Sequence, residues 1–115
     1  MRNIRHHALV VTCNDRDVLE SIRAKALELF KLHMEATKGA LLASEIKVSL
    51  INHYATFFIM PDGSKEGYDA SDDSDIIRDK LIDYIKPLIP SDVYHLSYAE
   101  VSFGADDGTS TLRHG

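Results

Sequence analysis

The feature that most constrains this chain is a seven-residue run, Tyr54 to Met60 (Tyr-Ala-Thr-Phe-Phe-Ile-Met), that stops at Pro61. Aromatic and β-branched residues at both phases of a two-residue period describe a strand buried on both faces. Behind it comes Asp62-Gly63-Ser64-Lys65-Glu66-Gly67, a turn with two glycines, and then a helix start. A buried strand that empties into a Gly-rich loop and a helix N-terminus is a common ligand position in α/β proteins. It is also a common way to turn a corner.

A second run, His7 to Cys13, has the same double-phase apolar character and predicts the first strand. Asn14 or Asp15 follows as a helix cap, since a short side-chain acceptor satisfies free N–H groups of the first turn. Leu19, Ile22, Ala26, Leu29 and Phe30 recur at helical spacing, with Glu20, Arg23, Lys25, Glu28 and Lys31 on the other face. This helix is expected to run to about Thr37 and stop near Gly39. Leu42 to Ser49 predicts a second strand, turned by Asn52-His53 into the Tyr54 run.

Ser71 to Ser74 supply caps for a second helix, whose apolar stripe is Ile77, Leu81, Tyr84, Ile85 and Leu88 and which Pro87 and Pro90 close. Tyr94 to Phe103 predicts the last long strand, with Ala99, Val101 and Phe103 on one face and Tyr98, Glu100 and Ser102 on the other. Gly104 to Gly108 is a turn, after which Thr109 to Gly115 adds a short edge strand or frays. The order β-α-β-β-α-β predicts a ferredoxin-like α+β sandwich. Its antiparallel sheet has the order 4-1-3-2, with both helices on one face.

That architecture leaves one sheet face without helices, yet both central strands are apolar on both phases: Ala8 and Val10 against Leu9 and Val11, Phe57 and Ile59 against Phe58 and Met60. Isolated chains avoid an exposed apolar patch of that size. A second copy packing sheet on sheet is the simplest cover, so a homodimer is expected; the C-terminal tail is the other candidate.

At 115 residues the chain makes one domain. No apolar run approaches the roughly 20 residues needed to cross a bilayer. With the lone Cys13 excluding an intrachain disulfide, a cytoplasmic location is expected. The net charge of −5 argues against nucleic acid and against anionic membranes as partners. Much of the acid is concentrated in Asp62, Glu66, Asp69, Asp72, Asp73 and Asp75. Such a run fits a solvated loop and helix start, with a nucleic-acid mimic or cation site as the alternative.

The 4-1-3-2 order brings His6 and His7 to the same edge as the Asp62-Gly63-Ser64-Lys65 loop, Asp106 and Asp107. The candidate ligand-binding set is therefore His6, His7, Asp62, Gly63, Ser64 and Lys65. Imidazoles beside carboxylates suit acid–base work or a metal, whereas backbone N–H groups with Ser64 and Lys65 suit an anion. A purely structural corner, with Asp62 and Gly63 making the turn, accounts for the same residues. Cys13 reads as a small residue closing a core strand. His95-Leu96-Ser97 matches half of the paired His-x-Ser/Thr signature of two-histidine phosphoesterases, and the second triplet is missing. There is no Walker loop, dinucleotide fingerprint, Cys-x-x-Cys pair or Ser-His-Asp signature. No cofactor, resident metal or catalytic residue is assigned.

His6-His7-Ala8-Leu9-Val10-Val11-Thr12, Ser44-Glu45-Ile46, Pro61 to Gly67 and Val101-Ser102-Phe103-Gly104 together resemble the pattern of small phage- and prophage-encoded proteins of unknown function. Tyr68 stands where many members of that family carry Trp. The resemblance implies a non-enzymatic phage accessory binding protein, with counter-defence as a class: blocking a host protein or sequestering a small, anionic signalling ligand. The alternatives are a small hydrolase or phosphodiesterase using the His/Asp edge, and a ligand-binding regulatory domain of the ACT kind, which shares the strand order.

Overall fold

A computed structural model describes residues 5–33, 42–61, 63, 69–104 and 111–115. The elements in chain order are β1 (Arg5–Cys13), α1 (Arg16–His33), β2 (Lys47–Val48), β3 (Ala55–Ile59), α2 (Asp69–Ile85), a 3-10 turn (Lys86–Leu88), β4 (Leu96–Gly104) and β5 (Thr111–His114). The strands form one antiparallel sheet of order β2-β3-β1-β4-β5. The first four take the expected positions. The tail takes the edge-strand option, pairing in the plane of the sheet along β4.

Asp15, not Asn14, caps α1: its Oδ1 accepts from the backbone N–H of Asp17 at 3.0 Å and of Val18 at 3.2 Å. Asn14 serves a longer link, its Oδ1 accepting from the His95 N–H at 2.7 Å, which ties the end of β1 to the approach to β4. The expected end of α1, at Thr37 and Gly39, lies outside the described residues. The second strand is shorter than its sequence suggests. Only Lys47 and Val48 form a ladder, while Leu42 to Ser44 run beside β3 through the Ala43–Ile59 bridge and the Ser44 hydroxyl, which accepts from the Phe58 N–H at 2.8 Å. The hairpin loop spans Leu50 to His53, inside the 2.6 Å bond from Ser49 N–H to the Tyr54 carbonyl. Asn52 and His53 both take left-handed φ, 64° and 58°, a conformation that Asn and His adopt several-fold more readily than most residues.

The second helix starts at Asp69, ahead of the Ser71 to Ser74 caps, so Ser74 is an interior, buried residue. A run of short polar residues offers several equivalent starts, and the helix uses an early one. Its buried stripe is Ile77, Leu81, Ile82 and Ile85; Tyr84 instead faces outward, where Lys25 Nζ lies 5.7 Å from its ring centre. Pro87 sits in the first turn of the 3-10 segment, where its missing N–H leaves no bond unmade.

The registers decide which phase of each strand is covered. Leu9 pairs with Ile59 and Glu100, Val11 with Phe57 and Tyr98, Cys13 with Ala55 and Leu96. These inward residues join Leu19, Ile22, Ala26, Leu29 and Phe30 of α1 and the α2 stripe in one core cluster. The opposite phase stays exposed: Val10 at 36%, Phe58 at 47%, Met60 at 44% and Phe103 at 39%. Of the two phases suggested for the bare face, it is therefore Ala8 and Val10 that lie there.

Candidate functional site

Neighbouring residues of a strand project to opposite faces, so β1 sends its two histidines to different places. His6 pairs with Phe103 on the exposed phase and His7 with Ser102 on the inward one. The structure therefore does not bring His6 and His7 into one site. It makes two.

The first is an apolar pocket at the sheet edge, a cavity of about 330 Å³ lined by His6, Met60, Pro61, Gly63 and Phe103. Topology assembles it as expected: the start of β1, the residues just beyond β3 and the end of β4 meet there. The His6 and Phe103 rings lie 5.3 Å apart at 41°, a tilted arrangement favoured between ring systems. Gly63 has φ of +80°, which a side chain would strain, and open space surrounds the place its Cβ would take. Of the remaining candidates, Asp62, Ser64 and Lys65 lie outside the described residues, as do Asp106 and Asp107.

The second site is a polar cleft of about 390 Å³ on the inward side, lined by His7, Ser102, Glu100, Asp75, Arg78, Asp79 and Leu112. Ser102 Oγ lies 2.6 Å from His7 Nδ1. Arg78, buried on α2, donates from Nε to Glu100 Oε2 at 3.0 Å, and its Nη2 also pairs with the Asp75 carboxylate. Burying a guanidinium is tolerable only when its charge is matched and its donors are used, and two carboxylates achieve that here. The pair fastens α2 to β4. No group of three or more His, Cys, Asp or Glu suited to a metal occurs among the described residues.

Sequence reasoning grouped Glu100 and Ser102 on one face of β4 without deciding which face turns inward, and it missed Arg78. Its signal was present: Ser74, Ile77, Arg78, Leu81, Ile82 and Ile85 follow the three- and four-residue spacing of one helix face. An arginine inside that spacing demands an acid opposite, and Glu100 is the inward-phase acid of the last long strand.

Cys13 is fully buried at the end of β1. Burial pushes its thiol pKa up and the Asp15 charge adds to this, against the lowering effect of the Asp15 N–H at 3.4 Å from Sγ and of Asn14. The thiol is held in its neutral, unreactive form. No helix of the described residues is long and apolar enough to cross a membrane.

Comparison of the chain with protein-family models, with curated proteins and with solved structures finds no match.

Proposed function

We propose that this chain is a non-enzymatic accessory binding protein of the phage or prophage type, acting in the cytoplasm. Its domain is read as ferredoxin-like, both helices covering the inward sheet face and residues 111–115 adding the edge strand. The observation that carries the reading is the apolar pocket of His6, Met60, Pro61, Gly63 and Phe103. Its volume suits one flat ring system, and mostly apolar concavities with a few polar groups at the rim are the usual form of small-molecule sites. The ligand class is a small molecule with a planar, apolar part and an anionic part, such as a nucleotide. The ring would lie against Phe103 and His6. Sequestering such a ligand is a counter-defence activity.

Calorimetric titration with nucleoside monophosphates, nucleosides and inorganic phosphate tests this. Nucleotides are expected to bind and to be recovered unchanged, with His6→Ala and Phe103→Ala each weakening them by about two- to tenfold, the worth of one stacking contact. No binding by any of the three sinks the proposal, as does affinity that survives both changes.

A small hydrolase is the second reading, supported by Ser102 Oγ within hydrogen-bond reach of His7 Nδ1 in a cleft. It ranks below the first because Arg78, the cation lining that cleft, is already engaged by Glu100 and Asp75. Turnover of an ester or phosphodiester that Ser102→Ala abolishes would reverse the ranking.

A further inference from the structure

We propose that the exposed sheet face is covered by a second copy of this chain, packed sheet on sheet about a two-fold axis. The inference does not rest on a ligand in the edge pocket. Four observations carry it.

The face is apolar at its centre, with Val10 of β1, Phe58 of β3 and Ala99 of β4 side by side in register and Met60 and Phe103 towards one end, all but Ala99 at least a third exposed. Residues 111–115 do not cover it, because β5 lies in the sheet plane and Tyr98 and Gly115 exchange backbone hydrogen bonds at its end.

The three inner strands of the face are also free of formal charge. From His6 to Thr12, Thr56 to Met60 and Ser97 to Phe103, the exposed phase carries no Asp, Glu, Lys or Arg, and the charge on this phase is Lys47 of the edge strand β2, opposite Thr56. The chain's net charge of −5 is therefore borne elsewhere and does not set two such faces against each other. A surface neutral across its centre is its own complement there, which is what an isologous two-fold contact needs.

The area fits a weak, concentration-dependent pair. The five strands carry 9, 2, 5, 9 and 4 residues, which at about 3.3 Å per residue and about 4.8 Å between strands give a face of about 460 Å². Two copies then bury about 900 Å², the range of weak, transient interfaces. Aligned packing of two twisted sheets, at about −30°, interleaves such residues.

Sedimentation velocity of the full chain from low micromolar to 100 micromolar tests the proposal. A dimer is expected. Phe58→Asp, at the centre of the face and outside the edge pocket, is expected to raise its dissociation constant by at least about thirtyfold, as for a central interface residue. Circular dichroism and thermal melting serve as the folding check. Val10→Asp provides an independent second change should Phe58→Asp fail to fold. Leu50→Asp, at the exposed hairpin tip, is expected to leave the dimer intact. A wild-type monomer across the range overturns the proposal, including one whose face is taken by a different protein. So does a dimer that survives both face variants, or one that Leu50→Asp dissociates instead.

Discussion

One sheet presents two unlike faces built from alternating residues of the same strands. Phe57 is fully buried whereas Phe58 is 47% exposed; Leu9 is covered whereas Val10 is 36% exposed; His7 bonds Ser102 inside whereas His6 lies on Phe103 outside. By composition the two phases are nearly the same. What separates them is what lies opposite: helix residues on one side, and on the other nothing from the described part of this chain. Hydrophobicity alone thus does not tell a covered phase from an exposed one.

The sharpest test of this contrast is a pair of adjacent truncations. Phe57→Ala is expected to lower folding stability by about 4 kcal/mol, through lost transfer energy and a cavity. Phe58→Ala is expected to cost under about 1 kcal/mol of the folding of a single chain, since half its ring is already in water. Urea unfolding of both variants under dissociating conditions checks this, and equal losses would erase the distinction between the faces.

The inward face also has a polar end, which Glu100→Ala probes. Removing it leaves Arg78 buried with Asp75 alone, at an expected cost of about 3 kcal/mol. The double change Arg78→Met with Glu100→Leu is expected to recover most of that loss, because it removes the buried charge as well as its partner. A double variant as unstable as Glu100→Ala would mean that the ion pair matters for more than neutralisation.

Hydrogen bonds on the two faces should differ in a smaller way. Ser102→Ala leaves His7 without its 2.6 Å partner on the inward side, for about 1 kcal/mol. On the exposed side, Thr12 and Thr56 share a hydroxyl–hydroxyl bond of 2.9 Å. Converting both to Val is expected to change stability by less than about 0.5 kcal/mol, since neither partner is left unsatisfied. Thermal melts of the two variants compare them directly.

The smallest effect concerns Cys13. Its pKa is raised by burial, so the neutral thiol adds stability that is fully present below the unfolded thiol's pKa and is lost as pH rises through the higher folded value. A slight alkaline decline, absent from Cys13→Ala, is expected in a pH series of melts. A native-state thiol reagent should label the residue only as fast as the chain opens.

Much of the sheet was legible beforehand, and particular residues show why. Apolar runs at Leu9 to Val11 and Phe57 to Met60 can only be central strands, and the helical spacing of Leu19, Ile22, Ala26, Leu29 and Phe30 matched the buried set of α1 throughout. The alternation that sends His6 and His7 apart was legible too, but placing both at one edge obscured it. An edge is shared by two faces. Less legible were the extent of β2, which depends on how residues 42–48 meet β3, and the inclusion of Ile82 rather than Tyr84 in the core, a choice between neighbouring positions of one helix stripe.

The sequence by itself determined the order of the elements, the inner strands and the apolar character of both phases of those strands, because periodicity and apolar content act locally along the chain. The tertiary structure alone decided which phase turned inward, that Arg78 would meet Glu100 and Asp75, and that the last strand would lie beside β4. Those outcomes depend on registers between segments far apart in the chain. A one-residue slip in such a register exchanges every inward side chain for an outward one, and with two equally apolar phases neither strand's own residues settle the choice.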